Sequence, residues 1–107
     1  MAVVSYRLGL ADGVSIEAAK WGWALRELGH AVVTVAGEGI ADVRVPGLAL
    51  AAASPPDAAA LARALAPADL VIVENVCSLP LNPAAADAVA AAIEGRPAVL
   101  HLSLIHI

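Results

Sequence analysis

The sequence predicts an α/β, Rossmann-like three-layer domain, in which helices cover a parallel sheet of about five strands. Short apolar, β-branched segments alternate along the chain with segments of helical periodicity, as in successive βαβ units. A glycine-bearing loop at residues 9–15 joins the first of these strands to the first helix. The strands are nearly continuous apolar runs, which is typical of parallel strands covered on both faces. With 107 residues, the chain is long enough for one core.

The first strand is expected at residues 2–8 and is followed by a helix after the loop. Ser15 is the expected N-cap of that helix, and Gly29 occupies the position of a left-handed residue that closes it. Trp23 is expected on the outer face, as a candidate for contact with a partner or another domain. An apolar stripe at four-three spacing is expected to pack on the sheet, and it comprises Val14, Ala18, Trp21, Leu25 and Leu28.

The second strand is expected at residues 31–36, where the chain is rich in valine. Residues 37–56 give the weakest signal in the chain. A short strand is possible at residues 43–45, and residues 47–53 fit a loop or a helix equally well. The sequence leaves the structure of this segment open.

The second half of the chain contains two further βα units. Pro55 and Pro56 are expected to open a helix that Pro67 ends, before a buried strand at residues 69–74. The third helix has a clear start, because Asn82 is a good N-cap and proline is favoured at the next position. Gly95 is expected to close that helix, and residues 98–103 then form the last strand.

Strands and helices that alternate at this spacing predict right-handed crossovers and the strand order 3-2-1-4-5. In that order the ends of the first and fourth strands lie adjacent, and this adjacency is the topological switch point. Such a switch point is where open α/β sheets bind ligands. We therefore expect residues 9–15 and 74–76 to converge there.

Composition excludes several functional classes. The net charge is −4 and the six lysines and arginines are scattered singly, so we expect no nucleic-acid partner. No apolar run approaches the length of a membrane-spanning helix, and Arg7 interrupts the first one, which argues against a signal peptide. A cytoplasmic location is therefore expected. The single cysteine, Cys77, is expected as a free thiol, and no residues show metal-ligand spacing.

Residues 11–15 read Ala-Asp-Gly-Val-Ser, and residues 25–30 read Leu-Arg-Glu-Leu-Gly-His before a valine-rich strand. This pattern resembles the amino-terminal domain of family 4 glycosyltransferases, which have the GT-B fold. In that family a Gly-Gly-Val-like loop precedes a helix that ends in Leu-x-x-x-Gly-His and a valine-rich strand. Residues 68–75, Ala-Asp-Leu-Val-Ile-Val-Glu-Asn, are similar to the family's fourth-strand region. The resemblance extends over the chain as far as His101.

The resemblance implies that the full-length protein transfers a sugar from a nucleotide-sugar donor to a sugar or lipid-type acceptor. The reaction would occur in the cleft between two Rossmann-like domains, without a metal or another cofactor. Residues 1–101 would form the acceptor-side domain, and a carboxy-terminal domain with paired glutamates would grip the nucleotide. We expect this chain alone to be inactive, and peripheral membrane contact stays open. His101 matches a histidine that the family places near the reacting sugar at the end of the fifth strand.

The remaining candidate substrate-binding residues lie at the switch point. Gly9 and Gly13 would let backbone N–H groups approach the donor phosphates or the acceptor, with Ser15 in the same loop. Asp12 would orient an acceptor hydroxyl or, equally, complement the positive start of the helix. A second pair, at the end of the fourth strand, would bind sugar hydroxyls or cap local backbone instead, and it comprises Glu74 and Asn75.

The last six residues, Leu-Ser-Leu-Ile-His-Ile at positions 102–107, form an apolar segment with no helix after it. They resemble the translation of a sequencing adapter. We therefore expect this tail to be non-native and residues 1–101 to be an incomplete domain. The alternative is a natural short domain with an exposed last strand.

Two other functions remain open. Glu38 follows the second strand where a nicotinamide-dependent oxidoreductase places its ribose-binding acid, although the loop reads G-x-x-x-G and lacks the middle glycine of G-x-G-x-x-G. A non-enzymatic domain, in which the sheet is a scaffold for binding, is the second alternative. A receiver-like version of it would need acidic residues at the end of the first strand, where residues 6–8 supply none.

Overall fold

The computed structural model describes residues 1–10, 13–77 and 81–101. It contains one five-stranded sheet whose paired strands are all parallel, in the order β3-β2-β1-β4-β5. The strands are β1 (Ala2–Leu8), β2 (Val33–Gly39), β3 (Val43–Arg44), β4 (Val71–Glu74) and β5 (Ala98–His101). The helices are α1 (Gly13–Glu27), α2 (Ala58–Leu65) and α3 (Pro83–Ile93). The α/β, Rossmann-like three-layer fold and the predicted strand order are confirmed.

Alternate residues of β1 divide between two packed layers. Ala2, Val4 and Tyr6 belong to the main core, which includes the buried faces of α2 and α3. A smaller cluster on the other face joins Ala18 of α1 to Ala36 of β2. The sheet therefore lies between α1 on one side and the α2–α3 pair on the other.

Helix α1 begins earlier than the sequence predicts. Its first residue is Gly13, so Ser15 lies inside the first turn and the predicted N-cap is wrong. Ser15 is buried, and its hydroxyl donates to the carbonyl oxygen of Arg7 at 3.4 Å. This bond ties the first turn of α1 back to the end of β1. The predicted end is confirmed, because Gly29 has φ 91°.

The face that α1 turns to the sheet is also different from the prediction. Ala18 is buried as expected, but Trp21 is 42% exposed and Leu28 is 75% exposed. Ser15 and Gly22 are buried instead, so three small residues form the contact surface. Small side chains let the helix axis approach the sheet closely, which leaves no room for an indole on that line. The predicted core position of Trp21 is therefore wrong, and the side chain of Val14 lies outside the described residues.

The segment that the sequence left open folds as a short edge strand and a turn. Strand β2 begins two residues later than predicted and extends to Gly39, and β3 pairs with it in parallel. A 3-10 turn at Pro46–Leu48 follows, and Leu48 is fully buried in the main core. Pairing and burial together fix a segment that has weak local propensity.

Two helix starts depend on side-chain caps. The carboxylate of Asp57 accepts the N–H groups of Ala59 and Ala60 at 2.9 and 3.2 Å, so α2 begins after Asp57 and not at the preceding prolines. Asn82 caps α3 as predicted, because its side-chain oxygen accepts the N–H of Ala85 at 3.2 Å. None of the helices in the described ranges is long and apolar enough to cross a bilayer.

Candidate functional site

The switch point lies between β1 and β4, as the strand order requires. The two strands are in register from Ala2 opposite Val71 to Ser5 opposite Glu74. Strand β4 ends at Glu74, whereas β1 continues three residues further, to Leu8. The carboxyl edge of the sheet is therefore stepped at this point.

This step separates the predicted site residues into two groups. Gly9 lies four residues beyond Ser5, or about 13 Å along an extended strand, above the level of Glu74. Glu74 and His101 lie at the lower level, because they are directly opposite each other on β4 and β5. The structure brings Glu74, Asn75 and His101 together, and it places Gly9 and the start of α1 at the upper level.

Glu74 and His101 form a close pair at the lower level. The Oε2 atom of Glu74 lies 2.8 Å from Nδ1 of His101. The glutamate side chain has no exposed surface, whereas 31% of the histidine side chain remains exposed. One partner is thus buried in the sheet and the other reaches the surface.

The pair belongs to a row of residues that crosses three strands. Ser5, Glu74 and His101 are register partners on β1, β4 and β5, so their side chains leave the same face of the sheet. Among the described residues, the Oγ atom of Ser5 and the Oε1 atom of Glu74 are buried without a hydrogen-bond partner. A buried oxygen without a hydrogen-bond partner lowers the stability of the fold.

Trp21 packs against the histidine of this row. The ring centroids of Trp21 and His101 lie 5.5 Å apart, with an interplanar angle of 65°, which is an edge-to-face arrangement. The tryptophan is therefore turned from the predicted core line toward β5. The imidazole is held between a buried carboxylate and an indole.

Asn75 follows β4 in a strained conformation. Its φ is 66°, and it is the only residue other than glycine with positive φ in the described ranges. The N–H of Val76 donates to the Glu74 carbonyl at 2.9 Å across Asn75, which makes a tight γ-turn. The N–H of Asn75 donates to the carbonyl of His101 at 2.8 Å. Strained backbone of this kind concentrates at ligand sites.

Gly9 has a structural reason to be glycine. Its φ is 69°, and a Cβ atom at this position would lie 2.6 Å from Cβ of Ile40. The turn out of β1 therefore requires glycine whether or not a ligand approaches it. Ligand contact at Gly9 stays a prediction.

The beginning of α1 lies partly outside the described residues. Asp12 is among the residues that are not described, so its predicted role stays a prediction, as do those of the tail at residues 102–107. Gly13 is the first residue of α1, and ligand contact at its backbone N–H stays a prediction. Ser15 is buried against β1 and acts structurally there.

Sequence reasoning missed the residue that anchors the loop after β4. The buried hydroxyl of Tyr6 accepts the N–H groups of Leu81 and Asn82 at 2.8 and 3.3 Å and lies 3.3 Å from the carbonyl oxygen of Val76. Tyrosine in an apolar strand signals a buried hydroxyl that needs partners, but the sequence does not identify them.

An open groove, lined mainly by apolar side chains, runs along the outer face of α1 from Gly9 to Trp23. Trp23 is 66% exposed there, as predicted for the outer face. Elsewhere, burial raises the pKa of the Cys77 thiol, whose sulfur lies 3.8 Å from the carbonyl oxygen of Ala86.

Residues 1–10, 13–77 and 81–101 contain no group of three or more acidic, histidine or cysteine side chains that could hold a metal ion. Comparisons of the chain with protein-family models, with curated proteins and with solved structures found no match.

Proposed function

We propose that this chain is the acceptor-side domain of a glycosyltransferase that resembles family 4 and transfers a sugar from a nucleotide-sugar donor to an acceptor. The observation that carries the proposal is the Glu74–His101 pair at the carboxyl edge of β4 and β5. It combines a candidate histidine that the resemblance implies with a partner on the neighbouring strand.

The position of the pair supports a ligand site. It lies beside the switch point of a parallel sheet, where the strands end in a crevice. A partly exposed imidazole and the amide of Asn75 are groups that hydrogen-bond hydroxyls, which are the main polar groups of sugars. The strained turn at Asn75 adds a second feature typical of binding sites.

The upper level of the crevice supports an anionic part of the substrate. The first turn of α1 begins at Gly13, and its free N–H groups and positive dipole end favour phosphate. In this proposal the donor diphosphate lies near the start of α1 and the acceptor hydroxyl lies near His101. The two levels of the stepped edge would then bind two different parts of the substrate pair.

The proposal includes a second domain that grips the nucleotide and carries paired glutamates. In this proposal the chain alone transfers no sugar, because the second domain would supply half of the cleft. Sequencing the parent gene beyond the codon for His101 is the first test. We expect the reading frame to continue into a second α/β domain with paired glutamates. We also expect the full-length product to consume a nucleotide sugar in the presence of acceptors. A stop codon directly after Ile107 would contradict the proposal and favour a stand-alone scaffold.

A nicotinamide-dependent oxidoreductase is the second candidate, because Glu38 lies near the end of β2, directly opposite Arg7 of β1. An acid at this position binds the ribose hydroxyls of NAD in many Rossmann domains. Titration of the ¹⁵N-labelled chain with NAD⁺ separates the two proposals. Amide shifts at Glu38 and Gly9 with NAD⁺, and none with a nucleotide sugar, would favour the oxidoreductase.

A further inference from the structure

Burial of the Glu74 carboxylate costs folding free energy. The carboxylate has no exposed surface, and Ile72, the residue of β4 on the same face of the sheet, is buried as well. A buried carboxylate loses its hydration, and apolar side chains of similar volume are often as stable or more stable at such positions. A role in holding the fold together is therefore a poor explanation for this residue.

The contacts of the carboxylate are directed at one ring atom. Oε2 of Glu74 faces Nδ1 of His101 at 2.8 Å, while Oε1 has no hydrogen-bond partner among the described residues. A carboxylate oxygen can only accept a hydrogen bond, so the ring atom that faces Oε2 of an ionised Glu74 must carry the hydrogen as Nδ1–H. In a neutral imidazole the other nitrogen, Nε2, must then carry the lone pair.

We infer that Glu74 is a positioning residue that fixes His101 in the Nδ1–H tautomer, so that Nε2 is a hydrogen-bond acceptor at the carboxyl edge of the sheet. A histidine without a partner favours the opposite tautomer, with hydrogen on Nε2. Trp21 packs edge-to-face with the ring and limits its rotation. The carboxylate and the indole together set both the protonated atom and the orientation of the imidazole.

The chemistry that this arrangement selects is a hydroxyl donor. A lone pair on Nε2 accepts a hydrogen bond from a sugar or other alcohol O–H, whereas an N–H at the same place would donate to the hydroxyl oxygen and could not take up its proton. That ligand class rests on the proposed function, but the tautomer does not. Ser5 is the register partner of Glu74 on β1, and its buried hydroxyl, like Oε1 of Glu74, makes no hydrogen bond within the described residues.

The experiment is a two-dimensional ¹H–¹⁵N spectrum of the imidazole rings of the full chain. It is recorded at a pH high enough for the ring shifts to have stopped changing. The expected result is a protonated-type nitrogen at Nδ1 of His101 and an unprotonated-type nitrogen at Nε2. His30 is an internal control, since it is exposed and is expected to show the opposite pattern. Signals are assigned with His30→Gln and His106→Gln.

The Glu74→Gln variant tests the cause. A glutamine can donate to Nδ1 as readily as it can accept from it, so the preference for the Nδ1–H tautomer is expected to be lost. Retention of that tautomer in a folded Glu74→Gln chain would overturn the positioning role. If this variant does not fold, the wild-type spectrum still decides, because a neutral His101 with hydrogen on Nε2 overturns the inference directly.

A further spectrum distinguishes failure of the proposed sugar-binding function from failure of the positioning role of Glu74. The spectrum is repeated with uridine diphosphate glucose and with methyl glucoside as probes. The expected tautomer with a shift of Nε2 on adding either probe supports both proposals. The expected tautomer without any shift keeps the positioning role and counts against sugar binding at His101.

Discussion

The hydroxyl of Tyr6 accepts the backbone N–H of Asn82, which lies 76 positions later in the chain. This bond joins the central strand β1 to the first turn of α3. Asn82 continues the connection, because its side-chain nitrogen donates to the carbonyl oxygens of Gly47 and Ala49 at 3.1 and 2.8 Å. Two side chains thus hold three distant segments at the carboxyl edge of the sheet.

Tyr6→Phe is expected to lower the free energy of unfolding by about 0.5–1.5 kcal/mol, because it leaves the part-buried backbone N–H groups of Leu81 and Asn82 without their acceptor. Urea unfolding followed by circular dichroism measures the change. The slope against urea is expected to stay the same, since the folded chain keeps its compactness. A loss below about 0.3 kcal/mol would show that water replaces the hydroxyl without cost.

Asn82→Asp separates the two functions of that side chain. An aspartate still caps α3 by accepting from Ala85, but it cannot donate to the carbonyl groups of Gly47 and Ala49. We expect a loss of about 1–3 kcal/mol, because a carboxylate then faces two carbonyl oxygens. Asp57→Asn is the matched control at the other cap, where the side chain only accepts, and it is expected to cost less. Equal effects would contradict the cross-linking role.

Gly9→Ala and Gly29→Ala share a left-handed backbone but differ in space. At Gly29 a Cβ atom meets nothing within 4 Å, so only the backbone penalty of about 1–2 kcal/mol applies. At Gly9 it meets Ile40 at 2.6 Å, which adds about 1–3 kcal/mol of overpacking. Thermal unfolding of both variants measures the difference. Equal midpoints would mean that the turn at Gly9 relaxes freely.

We expect the contribution of Cys77 to the free energy of unfolding to depend on pH. Burial raises the pKa of its thiol in the folded chain, so the folded state keeps this proton at a pH where the unfolded state loses it. The contribution to stability is therefore present below the unfolded pKa and falls as the pH rises through it. We expect the difference in unfolding free energy between wild type and Cys77→Ala to become less favourable to wild type between neutral and alkaline pH. A constant difference would contradict the shift.

The sequence predicts the structure correctly where a local pattern is compatible with only one backbone arrangement. Glycine at residue 29 and asparagine at residue 82 were expected to close α1 and to cap α3, and both roles are confirmed, although the second contact of Asn82, with Gly47 and Ala49, was not predicted. Strand order followed from the alternation of strands and helices. Glu74 was expected at the end of the fourth strand, and the resemblance implied His101 for the end of the fifth; the register places the two opposite each other, but their pairing was not predicted.

The remaining features depend on long-range packing. Periodicity placed Trp21 on the sheet-facing line, but the small residues beside it let α1 sit too close for an indole. Strand β1 extends three residues beyond the end of β4, and no local sequence pattern predicts this difference. It results from the strand register, which is defined only in the folded sheet. Sequence reasoning therefore expected one converged site where the edge has two levels.

The central place of β1 has a consequence for how the chain folds during synthesis. Strand β1 leaves the ribosome first and finds its partner β2 about 30 residues later, while Val73 pairs with Val4 only after another 40 residues have emerged. The edge of β1 that pairs with β4 therefore has no strand partner until β4 has been synthesised. Pairing between residues so far apart in the chain slows folding more than it destabilises the fold, so insertion of β4 is expected to be the slow step. The carboxyl edge that carries Glu74 and His101 is then completed last.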